Sequence, residues 1–241
     1  MANLLAGSLG APAEIIVSQD LERRFPDLKV PIFSVKDARV TSRNDELEEF
    51  KQSTFRDAKQ KYSLETIKDV SVFRAYRDFF WKIGIDPTKN RPAAEALIRR
   101  ILAGKLIPSI NTLVDAYNLA SIKSEVALAA FDENKLKGSL TMRFALKGEM
   151  FPGIGMDKPA SLNGGEVVIS DSERLVALYP HRDADYSKVT DETRNVAMLV
   201  CGVPGISLDI LLKSKQMAAE YIIRFCGGKV EESSSQTKSV T

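Results

Sequence analysis

Four short polar side chains recur at helical spacing in the segment NTLVDAYNLASIKS, residues 111 to 124: Asn111, Asp115, Asn118 and Ser121. The apolar residues of the same segment form a neighbouring stripe at i, i+3, i+4 and i+7, which predicts an amphipathic helix. Short amides and hydroxyls are poor helix formers because they compete with the backbone for hydrogen bonds. A helix face made of them is therefore expected to contact either polar backbone or a pocket.

Further polar residues stand in apolar surroundings later in the chain. They are Arg143, Glu149, Glu166, Arg182 and Asp183. Buried polar groups must be paired, and two interpretations stay open. In the first, these residues brace the fold, for example through pairing of Arg143 with Glu149 or Asp183. In the second, several of them line a cleft and present fixed donors and acceptors to a small polar ligand.

The inventory of reactive side chains excludes most other chemistry. The chain has one histidine, His181, and two cysteines, Cys201 and Cys226. A structural zinc site needs about four Cys or His ligands, and a catalytic triad could use only His181. The sequence contains no P-loop, no strand–GxGxxG–helix and no GxSxG motif. We therefore predict neither a metal site nor a cofactor.

Composition is ordinary for a globular protein of 241 residues, with 44% hydrophobic and 27% charged residues and a formal net charge of +2. This charge neither demands nor excludes an RNA partner. No run approaches the ~18 apolar residues of a membrane span, and the N-terminus lacks the features of a secretory signal. We expect a cytoplasmic protein without membrane association, with a flexible N-terminus (1–14) and a disordered tail (229–241).

Periodicity predicts helices in RPAAEALIRRILAGK, in residues 111–124 and in SLDILLKSKQMAAEYIIRFCGG. LKGSLTMRFALKGE alternates as a strand, with Leu140, Met142, Phe144 and Leu146 on one face. GGEVVISDSERLVALYP predicts two strands joined by a turn at 171–174. VTDETRNVAMLVCG predicts a helix with Thr190 as N-cap. This mixed order favours the α+β class.

Four segments in order carry a family resemblance: RPAAEALIRRILAGKLIPSINTLVDAYNLASIKS, LKGSLTMRFALKGEMFPGIG, GGEVVISD and HRDADYSKVTDETRN. Together, over roughly residues 15 to 225, they resemble the B3/B4 editing domain of the phenylalanyl-tRNA synthetase β subunit. The chain is most similar to the free-standing proteins built from that domain. The resemblance implies an α+β domain over residues 15–228, with two intimately packed lobes around a central sheet, flanking helices and a pocket between the lobes.

In the synthetase, that pocket hydrolyses tyrosine wrongly attached to the tRNA for phenylalanine. The resemblance thus implies a hydrolase of the aminoacyl ester on mischarged tRNA, acting in translation quality control, with aminoacylated tRNA as its RNA partner. Nothing in the chain resembles the aminoacylation core, so we do not expect it to charge tRNA by itself. The alternative is a non-catalytic module of the same fold that binds tRNA or a small ligand. A hydrolase acting on a metabolite is a third class.

Carried over by position, the resemblance implies that Asn118 and Ser121 orient the ester or the attacking water. Glu166 would bind the amino group or the side chain of the amino acid, and backbone N–H groups near Gly164 and Gly165 would stabilise the oxyanion. The expected substrate-binding residues are Asn111, Asp115, Arg143, Glu149, Gly165, Glu166, Arg182 and Asp183. His181 is an alternative base. The edited amino acid stays open.

Overall fold

The computed structural model of the chain describes residues 15–232 and 238–239. The expected flexible segment 1–14 lies outside the described residues. The helices are α1 (Gln19–Arg24), α2 (Asp45–Lys61), α3 (Ser71–Lys82), α4 (Ala93–Leu102), α5 (Thr112–Ser124) and α6 (Leu208–Cys226). None of the helices in this part of the chain has the length and apolar run needed to cross a lipid bilayer.

The strands of the described residues divide between two main sheets and one hairpin. They are β1 (Ile15–Val17), β2 (Ile32–Lys36), β3 (Leu128–Asp132), β4 (Leu140–Phe144), β5 (Met150–Phe151), β6 (Ala160–Ser161), β7 (Val167–Ser170), β8 (Leu175–Leu178), β9 (Arg182–Asp183), β10 (Val196–Val200), β11 (Lys229–Glu232) and β12 (Lys238–Ser239). The first sheet has the order β12-β1-β4-β7-β8-β9 and the second the order β11-β2-β10-β3, while β5 pairs with β6. The predicted α+β class is confirmed.

Helix α5, which carries the polar stripe, packs against α2, α4 and α6. It begins where the side chain of Asn111 accepts a hydrogen bond from the backbone N–H of Val114 (2.9 Å), a standard N-cap. It ends at Glu125, which adopts a left-handed conformation (φ 66°). Strand β3 begins at Leu128, so only a short connection joins the helix to the strand.

The predicted strand pair after Gly165 is confirmed, because β7 and β8 are antiparallel neighbours. The turn between them is closed by the carboxylate of Asp171, which accepts the backbone N–H groups of Glu173 and Arg174 (both 2.9 Å). Strand β4 pairs with β7 and ends at Phe144. Leu146 therefore does not extend the buried face of β4, and 69% of its surface is exposed.

The helix predicted at VTDETRNVAMLVCG is wrong, since this segment forms a turn followed by strand β10. The hydroxyl of Thr193 accepts the N–H of Thr190 (2.9 Å) and donates to Asp132 (2.8 Å), which fixes the turn. Every residue of β10 is buried, and β10 pairs with both β2 and β3. A short apolar run that is buried on both faces has no alternation, so periodicity cannot separate a central strand from a helix.

The prediction of a disordered tail over residues 229–241 is wrong for the two short stretches that the structure describes as strands. Residues 229–232 form β11, which pairs antiparallel with β2, and residues 238–239 form β12, which pairs parallel with β1. Pairing satisfies backbone groups of β2 that would otherwise form an open sheet edge. The polar composition of the tail gave no sign of this pairing. Residues 233–237 and 240–241 lie outside the described part of the chain.

Candidate functional site

A cavity of about 180 Å³ lies where helix α5 meets the ends of the two main sheets. Strand β3 closes one sheet and strand β9 closes the other, so both edges face this space. The lining comes from Tyr117 and Asn118 of α5, the segment 127–129, the segment 177–183, and Ala93, Leu199 and Cys201. Water takes about 30 Å³ per molecule in the liquid, so the cavity has the size of a small ligand such as an amino acid.

A larger groove of about 710 Å³ runs over the surface between α6 and β11. Long side chains and aliphatic groups line it, among them Leu212, Lys215, Ile223 and Val230. None of the polar residues predicted for the site contributes to this groove. We therefore place the candidate site in the smaller cavity.

Three of the four stripe residues on α5 serve the fold rather than the cavity. Asn111 is the N-cap described above. The buried carboxylate of Asp115 accepts hydrogen bonds from Lys51 Nζ and Ser109 Oγ, both at 2.6 Å. The Ser121 hydroxyl donates to the carbonyl of Val126 (2.7 Å). The expectation that Ser121 faces the pocket is corrected, because its hydroxyl satisfies a buried carbonyl just beyond the helix end.

Asn118 is the stripe residue that lines the cavity. Its side chain is half-buried and makes no hydrogen bond to any of the described residues. A half-buried amide without a protein partner keeps its two donors and its acceptor for water or for a ligand. The amide of Asn118 is thus available to a ligand in the cavity.

Arg143 and Glu149 lie outside the cavity and pair with each other. Arg143 Nη1 and Nη2 donate to the two carboxylate oxygens of Glu149 at 3.0 and 2.6 Å. Glu149 also accepts the backbone N–H of Leu146 (2.8 Å). The hydrogen bond from Arg143 lowers the pKa of Glu149. The bracing interpretation, with Glu149 as the partner, is confirmed for this pair.

Gly165 and Glu166 belong to the turn before β7 and do not line the cavity either. Glu166 Oε1 accepts the backbone N–H of Asn163 (2.9 Å), while its Oε2 is buried without a hydrogen-bond partner among the described residues. Gly165 adopts φ +93°, a conformation that glycine favours. The structure does not bring Glu166 and the glycine backbone to the cavity, because this turn is hydrogen-bonded to the backbone of Ala145 beyond the end of β4.

Arg182 and Asp183 do reach the cavity, from the edge strand β9. Arg182 Nη1 donates to the carbonyl of Ile154 (2.8 Å). A Cβ atom on Gly153 would lie 2.5 Å from Arg182 Cδ, so glycine is needed there to seat the arginine. Burial raises the pKa of Asp183 to about 7, although the backbone N–H of Ala130 acts in the opposite direction. The carboxyl group of Asp183 therefore titrates near neutral pH.

His181 and Cys201 also line the cavity, but neither is a ready nucleophile. Burial, with a smaller contribution from the charge of Arg182, lowers the pKa of His181, which is therefore neutral at pH 7. Burial raises the pKa of the Cys201 thiol, and the nearby charge of Asp183 adds to this. Since the thiolate is the reactive form, Cys201 is expected to be inert.

The edge strand β3 adds backbone groups to the site. Cys201 donates its N–H to the carbonyl of Ala127 (2.9 Å), and Leu199 is the partner of Ala129. In an antiparallel pair, alternate residues face the neighbouring strand. The N–H and C=O groups of Leu128 and Ala130 therefore point away from β10, towards the open side of β3.

Three tyrosines contribute to the cavity or support it. Sequence analysis did not assign them to the site. Tyr117 and Tyr179 line the cavity, and the buried hydroxyl of Tyr179 donates to the carbonyl of Gly202. The buried hydroxyl of Tyr76 accepts the N–H of Ala127 (2.9 Å). A signal was present, because a tyrosine at a core-facing position of an aromatic stripe needs a partner for its hydroxyl.

Comparison with known proteins agrees with this architecture. The chain is 33% identical over 113 residues to the phenylalanine–tRNA ligase beta subunit of Fusobacterium nucleatum, covering 46% of this chain and 14% of the ligase subunit. It is 31% identical over 127 residues to the same subunit of Thermotoga maritima, covering 53% and 16%. The chain thus spans about a sixth or less of the length of these relatives.

The fold is similar to the crystal structure of an N-terminal fragment of the phenylalanyl-tRNA synthetase beta subunit from Pyrococcus horikoshii. The TM-score is 0.50 at 15% sequence identity, and the match covers 90% of this chain and 50% of the fragment. The family model of the B3/4 domain matches residues 75–227, more than half of the chain, and this range includes α4, α5 and the whole cavity lining. The chain belongs to the B3/4 domain family.

Proposed function

We propose that this chain is a hydrolase that cleaves the ester bond between an amino acid and a mischarged tRNA, acting in trans. The observation that carries the proposal is the amide of Asn118, which has no partner among the described residues and faces an amino-acid-sized cavity. Membership in a family shared with tRNA ligase subunits supports an aminoacyl-tRNA as the substrate.

The proposed chemistry needs positioning more than it needs a strong catalyst, because an aminoacyl ester is already activated. Asn118 orients the ester carbonyl or the attacking water. The outward N–H group of Leu128 is the donor for the oxyanion that forms when water adds to the carbonyl, because the N–H of Ala130 is directed at the carboxyl group of Asp183. The C–O bond to the ribose then breaks and the amino acid leaves as a carboxylate. One proton of the attacking water passes to the ribose oxygen, with assistance from the vicinal ribose hydroxyl, and the other is released to solvent.

These assignments replace part of the sequence-based scheme. Ser121 is removed from the catalytic group, because its hydroxyl is committed to Val126. The proposed oxyanion donor moves from the glycine turn at 164–165 to the backbone N–H of Leu128 on the edge of β3. Asn118 keeps the role that the resemblance implied.

The direct test is deacylation of a panel of mischarged tRNAs, including tyrosine on the tRNA for phenylalanine, by the purified protein. Among the mischarged tRNAs of the panel, we expect the protein to hydrolyse one class selectively. The rate should fall about tenfold or more in Asn118→Ala, since removal of one oriented donor in such a site typically costs 10²–10³-fold. Asn163→Ala is the matched control, because Asn163 is exposed and outside the cavity. Full activity of a folded Asn118→Ala protein would contradict the assignment.

A panel without any hydrolysis would favour the non-catalytic alternative, a module that binds tRNA or a small ligand. Salt dependence separates the two kinds of ligand. Binding of tRNA through several Lys or Arg contacts to phosphates weakens steeply as salt rises. Binding of an amino-acid-sized ligand in the cavity changes little with salt.

A further inference from the structure

Among the described residues that line the cavity, Asp183 carries the only acidic side chain. It reaches the cavity from β9 and lies near the backbone of Ala130 on the facing edge strand β3. Alanines at 93, 127, 129 and 177 form one part of the surrounding wall, and Tyr117, Tyr179 and His181 form another. A carboxylate in such surroundings loses much of its hydration and needs a partner of opposite charge.

The described residues supply no cation to this carboxylate. Asp183 makes no ion pair with any of them, although Lys and Arg side chains pair with Asp or Glu at many other places in the structure. The adjacent cation, Arg182, donates instead to the carbonyl of Ile154. His181 lines the same cavity but is neutral at pH 7 because burial lowers its pKa. The missing positive charge is therefore expected from a ligand.

We propose that Asp183 is the receptor for a ligand ammonium group, the free α-amino group of the amino acid bound in the cavity. This inference rests on the proposed function and defines its substrate class as aminoacyl groups with an unblocked amine. The ammonium of the ligand pairs with Asp183, and the alanine-lined wall accepts its side chain. Asn118 and the edge of β3 then face the carbonyl carbon.

A metal ion fits this site less well than an ammonium group. A metal ion needs several oxygen, nitrogen or sulphur ligands, and no group of three or more His, Cys, Asp or Glu side chains is arranged for one among residues 15–232. An α-ammonium group is compact and donates three hydrogen bonds, which suits one carboxylate and the neighbouring carbonyls of β3.

The test is direct binding of amino acid amides to the full chain, measured by calorimetry. The probes are the amides of alanine, valine, phenylalanine and tyrosine, each compared with its N-acetyl form, which has the same side chain and no positive charge. We expect at least one free amide to bind about tenfold or more tightly than its N-acetyl form, as is usual for a hydrogen-bonded charge. Equal binding of the two forms, or no binding by any amide, would overturn the proposal.

Single substitutions test whether Asp183 causes the preference for the free amine. Asp183→Asn keeps the shape of the side chain and removes its charge, so it should abolish the preference for the free amine. Asp185→Asn is the matched control, because Asp185 is two residues away, exposed and paired with Lys188 (2.8 Å). A preference that survives Asp183→Asn would also overturn the proposal.

The outcomes separate this inference from the proposed function. Amine-selective binding lost in Asp183→Asn, together with no deacylation of any tRNA, would establish the receptor and refute the hydrolase. Deacylation that treats free and N-acetylated aminoacyl-tRNA alike would establish the hydrolase and refute the receptor.

Discussion

The hydroxyl of Tyr76 donates a hydrogen bond to the backbone carbonyl of Cys201, which lies 125 residues further along the chain. The same hydroxyl accepts the N–H of Ala127, which directly precedes strand β3 and whose carbonyl accepts the N–H of Cys201. One side chain of α3 therefore bridges the backbone just beyond the ends of β3 and β10, beside the direct hydrogen bond from the Cys201 N–H to the carbonyl of Ala127. Because Ala127 and Cys201 both line the cavity, Tyr76 supports the cavity from the core side.

Replacement of Tyr76 by phenylalanine should destabilise the protein by about 1–3 kcal/mol, since a buried N–H and a buried carbonyl lose their partner. Urea unfolding of the two proteins measures this difference. Tyr221→Phe is the control, because Tyr221 is half-buried and its ring packs on Phe50. The control is expected to change stability by no more than about 0.5 kcal/mol. Similar stability of both variants would show that the Tyr76 hydroxyl contributes little.

Glu95 is fully buried and holds two arginines. It accepts hydrogen bonds from Arg77 (2.7 and 2.8 Å) and from Arg99 (2.7 Å). Burial would raise the pKa of Glu95, but these bonds reverse the effect and lower it. Glu95→Ala leaves both guanidinium groups without their carboxylate and should cost about 3–5 kcal/mol in the free energy of unfolding.

Thermal or urea unfolding checks this loss against a surface pair. Asp69 lies 3.6 Å from Arg74, and both side chains are more than half exposed. Asp69→Ala should therefore cost no more than about 1 kcal/mol. An equal effect of the two substitutions would contradict the view that burial makes the Glu95 cluster important.

Asp183 predicts a pH dependence of stability. Its pKa is about 7 in the folded protein and close to the ordinary value of 3.8 in the unfolded chain, so the folded state binds more protons between these values. Stability must then fall as pH rises from about 4 to about 7, and this contribution is constant above pH 7. Asp183→Asn removes the effect, since its side chain does not ionise.

Urea midpoints of the wild-type protein and of Asp183→Asn at pH 4.5, 6 and 8 test this. The midpoint of the variant relative to the wild type should increase with pH over this range. Other titrating groups cancel in the comparison, because both proteins carry them. A midpoint difference that does not change with pH would mean that the carboxyl group of Asp183 is well hydrated.

The two thiols should be unreactive in the folded protein. Burial raises the pKa of both Cys201 and Cys226, and both side chains are shielded from solvent. Alkylation by iodoacetamide at pH 8, followed by mass spectrometry, should modify both cysteines rapidly in urea and slowly in buffer. Rapid modification of Cys201 in the folded protein would indicate an ionised thiol and reopen the assignment of the nucleophile.

The candidate site was partly predictable because its residue types are unusual for their positions. Asn118 is a polar residue in an apolar helical segment, Asp183 follows the end of a predicted strand, and both reach the cavity. The same reasoning selected Asp115 and Ser121, which bind Lys51 and a backbone carbonyl instead. A short polar side chain in a buried segment shows that a partner exists, but the partner depends on residues that are distant in the sequence.

By itself, the sequence determined the local elements whose patterns repeat along the chain: helices α4, α5 and α6, strand β4 and the β7–β8 turn. These follow from periodicity and capping, which act over a few residues. Only the tertiary structure decided that 196–200 is a central strand, that β11 covers β2, and that the edges of β3 and β9 enclose a cavity with α5. Such features arise from long-range pairing and burial, where two segments satisfy each other's backbone and side chains, and no short stretch of sequence contains both partners.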